Sequence, residues 1–355
     1  MASRKNQGAP RREISIDDAS LNLLLVILVT VILLVAILAS YFAITFSTRV
    51  ETPIENEETE KEDKPASTDA DYPFKVDGIT IEFPDSADAK NTISDDLINS
   101  EKAILIDVTA NEVVASRQGS QIIYPASMTK VMTLIVIAEN LKSEDDLKDE
   151  ITVTQEMYNR KVQEGHSGDF NTVGEVMTVE DAIYAFILNS DGMVGIGLAD
   201  YIAGSESAFV KMMNEKAEEI GLENSLFQNC TGIYHKYHYS SCYDMAVIMA
   251  YAMKNPFCAK VISSEKYSTT TSKYTDGVTF YHDLLVTRFE SCPVRFDSVE
   301  VLAGKTGYCG KESGYCVVSY AKGDNGHFYV LVTAKAEVKF EEIQDMPAIF
   351  NKYVK

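Results

Sequence analysis

The sequence holds 355 residues, 46% of them hydrophobic and 24% charged, with a formal net charge of -21. Such an excess of acid excludes nucleic acid as a partner, since phosphate backbones are held by clustered Lys and Arg and no such cluster stands in the folded part. Once non-globular stretches are set aside, the length leaves room for one folded unit of roughly 270 to 290 residues.

The first element is 21-LNLLLVILVTVILLVAILASYFAITF-46, inside a span with no charged residue between Asp18 and Arg49. It is longer than the ~20 residues that cross a bilayer core and longer than the apolar region of a cleavable leader. Residues 19–48 therefore read as a single uncleaved transmembrane anchor, which makes the lipid bilayer a partner. Arg4, Lys5, Arg11 and Arg12 precede it, so the positive-inside bias puts residues 1–18 in the cytoplasm and the rest of the chain outside the cell membrane. Residues 49–74 are acidic, rich in Glu, Thr and Pro, and nearly empty of large apolar side chains. They predict a disordered spacer, with residues 75–355 forming the extracytoplasmic domain.

Within that domain, 102-KAILIDVTANEVVASR-117 is two β-type runs around Thr109-Ala-Asn-Glu, a hairpin signal. Helical patterns follow at 127–142, 178–189, 193–203, 207–221 and 243–254, the fourth stopping at Gly221 as a C-cap would. Late in the chain the period changes again: 299–305, 315–322 and 327–337 are β-rich runs divided by Gly-containing turns. A last helix, 341–354, contains Pro347, a kink signal. Strands at both ends with helices between predict an α/β sandwich whose sheet is assembled from distant segments, with a mainly helical insertion.

Six cysteines lie between Cys230 and Cys316. They are read either as local pairs, Cys309 with Cys316 and Cys230 with Cys242, or as buried free thiols. His235 and His238 have a spacing compatible with a metal, but no third ligand stands nearby, so no metal or cofactor is expected.

The chemistry is carried by 124-YPASMTKVMTLIVIAEN-140. Pro125 bars an earlier helix start, and Met128, Val131, Met132, Leu134 and Ile135 make the helix apolar on nearly all sides, hence buried. Ser127 and Lys130, at i and i+3, share one face. A lysine held in that burial loses affinity for its proton, and a neutral amine can take the proton of a serine. Alone, Ser127 also reads as a cap and Lys130 as a snorkelling side chain. Two further elements follow in order. Ser190 stands between two helices, where a hydroxyl can relay a proton or cap the second helix. Lys305-Thr306-Gly307 ends a β-type run, where a cation and a hydroxyl can bind a carboxylate beside a strand edge.

This ordered set resembles the serine D-Ala-D-Ala carboxypeptidases, the low-molecular-weight penicillin-binding proteins of peptidase family S11. The likeness runs over roughly residues 98–340. It includes 100-SEKAILIDVTANEVVAS-116, the Tyr-Pro-Ala-Ser-Met-Thr-Lys box, 229-NCTGIYHKYHYSSCYDMAVI-248 and the Lys-Thr-Gly-Tyr hairpin. The resemblance implies a β-lactamase/transpeptidase-like fold with an antiparallel sheet. It further implies Ser127 as acyl-forming nucleophile, Lys130 as its base and Ser190 as proton relay. Lys305 and Thr306 would hold the terminal carboxylate, Gly307 would let the substrate backbone lie alongside the strand edge, and the N–H groups of Ser127 and Tyr308 would form the oxyanion hole. The implied partners are a peptidoglycan stem peptide ending in D-Ala-D-Ala and β-lactams as acylating inhibitors.

One position departs from the pattern. Ser190-Asp191-Gly192 stands where the family has Ser-x-Asn, whose amide helps hold the lysine and the substrate carbonyl; the usual substrate geometry then requires another polar side chain, such as Asn189 or Asp191, to fill that space. Gly192 also motivates a second reading, a penicillin- or wall-binding module with little turnover. A β-lactamase is the lesser alternative, since the Glu-x-x-x-Asn signature that positions a deacylating water is missing between Ser190 and Lys305.

Overall fold

Alternation along one strand organises the molecule. The computed structural model describes residues 88–355 together with Phe74, Ile79 and Pro84, and Lys102–Asp107 (β1) is buried over its whole length. Successive side chains of a strand point to opposite faces. Ile104 and Ile106 accordingly enter a large core shared with the helices, while Ala103 and Leu105 enter a second core on the other face. The expected anchor at 19–48, the segment 1–18 and the spacer 49–74, Phe74 apart, lie outside the described residues. No described helix is long and apolar enough to cross a membrane.

β1 turns into Glu112–Arg117 (β2), and the sheet is completed by Val299–Gly307 (β3), Tyr315–Gly323 (β4) and Phe328–Ala336 (β5). The order is β2-β1-β5-β4-β3, antiparallel throughout. Chain ends far apart in sequence thus pair in the middle, with Ile104 opposite Val332. β3 is left at the edge, and its last residues are opposite the start of β4, Gly307 facing Cys316.

Among the described residues the α-helices longer than one turn are Lys130–Asn140 (α1), Gln155–Glu164 (α2), Val179–Leu188 (α3), Gly192–Ala203 (α4), Glu206–Glu219 (α5), Cys242–Lys254 (α6), Pro256–Ile262 (α7) and Glu341–Tyr353 (α8). α8 covers the second core through Ile343, Met346, Ile349 and Phe350, an i, i+3, i+6, i+7 stripe. Pro347 lies inside it without ending it. α1 is buried from Lys130 to Ala138. It starts three residues later than its apolar pattern predicts, because Ala126–Thr129 forms a tight 3-10 turn instead. The spacing pattern at 155–164, mostly polar, gave no helix in the sequence reading; a Thr154 cap that accepts from Met157 N–H starts it.

The cysteines are all free thiols. Neither local pair forms: Cys316 Sγ reaches the Gly307 and Pro125 carbonyls at 3.2 and 3.5 Å, and Cys230 Sγ lies 3.1 Å from Glu206.

Candidate active site

The turn before α1 is under strain. Ala126 has φ +47°, a left-handed conformation that costs a residue with a Cβ and that clusters at functional sites. It turns Ser127 out of the helix direction and into a cleft of about 460 Å³. Lys130, one turn on, donates to Ser127 Oγ at 3.0 Å and to the Thr231 carbonyl at 2.8 Å. Both acceptors are neutral. The amine is only 2% exposed, with the Phe186 ring 5.3 Å away. Burial, assisted by the positive charge of Lys305, pulls Lys130 down to about 7.

Two anchors fix that turn against the loop at 228–232. His238 is hydrogen-bonded to Thr129 Oγ1 at 2.9 Å and accepts from Gln228 N–H at 3.2 Å. Burial pushes it down to about 3, so it is a neutral strut, with both nitrogens engaged. Thr133 donates to the Cys230 carbonyl at 2.6 Å. The Thr231 carbonyl is thereby held where Lys130 needs an acceptor.

The edge strand β3 brings Lys305, Thr306 and Gly307 against the same turn. A Cβ on Gly307 would stand 2.9 Å from the Pro125 carbonyl and 2.8 Å from Cys316 Sγ. Only glycine lets the strand end lie this close to the serine turn. Lys305 is 1% exposed and is drawn down to about 8 by burial, against the pull of the Asp283 carboxylate. Thr306 donates to Asp283, which also accepts from Arg288 at 3.2 and 3.3 Å. Tyr308 is half exposed, stacks on Tyr315 at 4.2 Å, and lines the cleft with Ser127 and Lys130.

Ser190 is placed differently. It joins α3 to α4 with φ +58°, and its carbonyl accepts from Ser167 Oγ at 2.8 Å. Its hydroxyl is not among the two partners of the Lys130 amine. Nor does it cap α4, because Asp191 does, accepting from Met193 and Val194 N–H at 3.0 and 3.3 Å.

Residues 89–337 match the family described as Peptidase_S11, D-alanyl-D-alanine carboxypeptidase. The chain belongs to the S11 peptidase family. It is similar to the D-alanyl-D-alanine carboxypeptidase DacF of Bacillus subtilis, 33% identical over 226 residues, 63% of this chain and 54% of that protein. Against the D-alanyl-D-alanine carboxypeptidase DacC of Escherichia coli, identity is 31% over 168 residues, 46% of this chain and 42% of the other. The chain therefore spans about half the length of these curated relatives. Among solved structures, the Streptomyces K15 DD-transpeptidase superposes with a TM-score of 0.63 at 22% identity, covering 72% of this chain and 96% of that one. Penicillin binding protein 5 of Haemophilus influenzae gives 0.60 at 23%, covering 71% and 70%. These two likenesses establish the fold.

Against the S11 pattern, the fate of the Ser-x-Asn position is now visible. Neither residue expected to fill it does so. The Asp191 carboxylate is spent on the start of α4 and on Phe170 N–H, and the Asn189 amide donates to Asp169 at 2.8 Å. The side chain beside Gly192 is His166. His166, Asp283 and Arg288 are not singled out by the sequence. No local spacing marks them, because each reaches the site from a connecting segment.

Proposed function

We propose that this chain is a membrane-tethered D-alanyl-D-alanine carboxypeptidase that removes the last D-alanine from peptidoglycan stem peptides and is acylated by β-lactams. The observation that carries the reading is a buried lysine whose amine lies 3.0 Å from a serine oxygen and donates to two neutral acceptors, with burial outweighing the more distant pull of the Asp191 carboxylate. At neutral pH such an amine is a base.

In this mechanism Ser127 Oγ attacks the carbonyl of the penultimate D-alanine while Lys130 Nζ takes its proton. The carbonyl electrons move onto oxygen, stabilised by the N–H groups of Ser127 and Tyr308. Collapse breaks the C–N bond, and the proton reaches the leaving D-alanine amine from Lys130, through Ser190 once bound substrate closes the gap. Water then hydrolyses the ester, with Lys130 accepting its proton and returning it to Ser127. Lys305 and Thr306 hold the terminal carboxylate, which sets where cleavage falls. Residues 19–48 would anchor the enzyme with its N-terminus in the cytoplasm, and residues 49–74 would give the domain reach into the wall.

The test is release of D-alanine from a pentapeptide ending in D-Ala-D-Ala by the full chain, beside its Ser127→Ala form. Release by the unaltered chain alone is expected; equal release by both would sink the reading. A chain that is labelled at Ser127 by penicillin yet releases no D-alanine would instead be the binding module.

A further inference from the structure

The wall of the cleft opposite β3 carries an imidazole that the serine, lysine and strand motifs do not include. His166 lines the cleft together with Ser127, Lys130 and Gly192. It is 8% exposed. Its Nε2 lies 2.7 Å from the Glu164 carboxylate, which Arg160 grips at 2.9 and 3.2 Å; Arg160 in turn reaches Glu206 at 2.6 Å. An arginine, a carboxylate and an imidazole in line fix a ring in orientation, much as outer ligands fix a working histidine. The loop that carries it is pinned as well: Lys161 donates to the Gly168 and Phe170 carbonyls at 2.6 and 2.9 Å, and Gly192 N–H donates to the Ser167 carbonyl at 2.9 Å.

The ring and Gly192 exclude one another. A Cβ on residue 192 would stand 2.6 Å from His166 Nδ1 and 3.0 Å from His166 Cβ. The volume a side chain at 192 would fill is thus filled from a different segment. A carboxylate only accepts, so Nε2 carries the proton shared with Glu164, and Nδ1 is left on the side of Gly192, which lines the cleft as well. In the neutral imidazole Nδ1 accepts an N–H; on a doubly protonated ring it donates to a carbonyl. Peptide amides present both groups. Burial, working against Glu164, holds the ring below its ordinary value, which favours the neutral form.

We propose that His166, aligned by Glu164, is a substrate-binding residue that contacts the amide flanking the scissile carbonyl through Nδ1, in the place left open by Gly192. This rests on Ser127 being the acylated residue. Full chain is to be acylated by benzylpenicillin, which carries a 6-amido group, and by penicillanic acid, which has the same rings and carboxylate without it. His166→Ala should lower the ratio of the two acylation rate constants about tenfold, the worth of one hydrogen bond in a partly dry site. His166→Asn, which restores a short polar group, should hold that ratio within about threefold of the unaltered chain. Gly192→Ala should lower it, and adding it to His166→Ala should lower it no further.

A ratio that stays put in His166→Ala overturns the proposal even if both rates fall together, since that is what damage to packing alone would do. A Gly192→Ala effect that adds to that of His166→Ala overturns it too. Failure of either penicillin to label Ser127 in the unaltered chain would show up before any variant is compared, and would bring down the reading beneath.

Discussion

Lys130 and Lys305 are both buried to within 2% of complete enclosure, yet they sit in opposite electrostatic surroundings. Lys130 enters from α1, where its hydrogen bonds go to a hydroxyl and a carbonyl and an aromatic face covers it, while the Asp191 carboxylate acts on it only through space. Lys305 enters from β3 beside Asp283, Arg288 and, behind them, Glu342, which lies 3.9 Å from Arg288. Burial discharges an amine, and a neighbouring carboxylate restores the charge. Hence the first is drawn to about 7 and the second only to about 8. At neutral pH one amine is available as a base and the other is mainly a cation. The same residue type thus serves two purposes, separated by what packs around it, not by its own chemistry.

The comparison breaks first at Lys130. Lys130→Met keeps the apolar stem and removes the amine, and it should slow penicillin acylation about a thousandfold, within the range lost with a general base. In the unaltered chain the acylation rate should climb as pH passes through about 7 and the amine loses its proton. A rate constant that is flat from weakly acid to weakly alkaline solution would remove Lys130 from the base role.

How much of this was legible depends on how local each feature is. Ser127 and Lys130 share one turn, so their meeting follows from a spacing of three and an apolar helix that buries it. The hairpin at 102–117 and the three late runs are readable as β-rich stretches divided by turn residues, while the antiparallel sheet is implied by the family resemblance. Gly307 and Cys316 meet across the β3–β4 hairpin, again a local matter. His166 was not legible: it lies 26 residues before Gly192, and tertiary hydrogen bonds such as those from Gly192 N–H to the Ser167 carbonyl and from Ser167 Oγ to the Ser190 carbonyl bring the two together. Asp283 was hidden for a similar reason. It sits in Asp283–Arg288, a π-type turn whose sequence, DLLVTR, has neither helical nor strand period. His282 starts that turn by accepting from Leu284 and Leu285 N–H, a cap outside the usual Ser, Thr, Asp and Asn set. Of the two readings of the cysteines, free thiols hold; spacing could not choose between them because pairing depends on where each sulfur lies in the fold, and Cys316 contacts two carbonyls and Cys230 contacts Glu206.

On the Lys305 side the expected effects are smaller and depend on pH. Asp283→Asn removes the carboxylate that keeps Lys305 charged, and it also removes an anion competing for Lys305 and Thr306. The two effects oppose each other, and pH separates them. Where Lys305 is charged regardless, near pH 6, KM for a peptide ending in D-Ala-D-Ala should fall by about threefold, a surface-to-buried charge effect of modest size. As pH rises, KM climbs when Lys305 loses its proton, at about 8 in the unaltered chain. In Asp283→Asn that climb should begin about one pH unit lower, a shift of ordinary size for a lost ion pair. An unmoved midpoint would mean that Asp283 does not set the charge of Lys305.

The smallest effect sharpens the comparison at its far edge and reads stability, not turnover. Glu342 is 1% exposed. One carboxylate oxygen has no hydrogen-bond partner among the described residues, and burial lifts the group to about 7. The folded chain then keeps a proton that the unfolded chain has lost above the ordinary glutamate range. Stability from this group is full below that range, is drawn down as pH rises towards 7, and is absent above it. Glu342→Gln places a neutral amide in the same volume. At pH 8 it should raise the unfolding midpoint by about 2–4 °C, roughly 1 kcal/mol, because the relief of burying a charge is offset by the attraction Arg288 loses. At pH 5, where Glu342 is protonated in the folded state, the variant and the unaltered chain should melt together. A stabilisation equal at both pH values would mean that the amide packs better and that Glu342 never held the proton. On the Lys130 side the hydrogen-bond partners of the amine among the described residues are a hydroxyl and a carbonyl. There the cost of burial falls on the lysine itself, and is relieved by the loss of the proton that makes it a base.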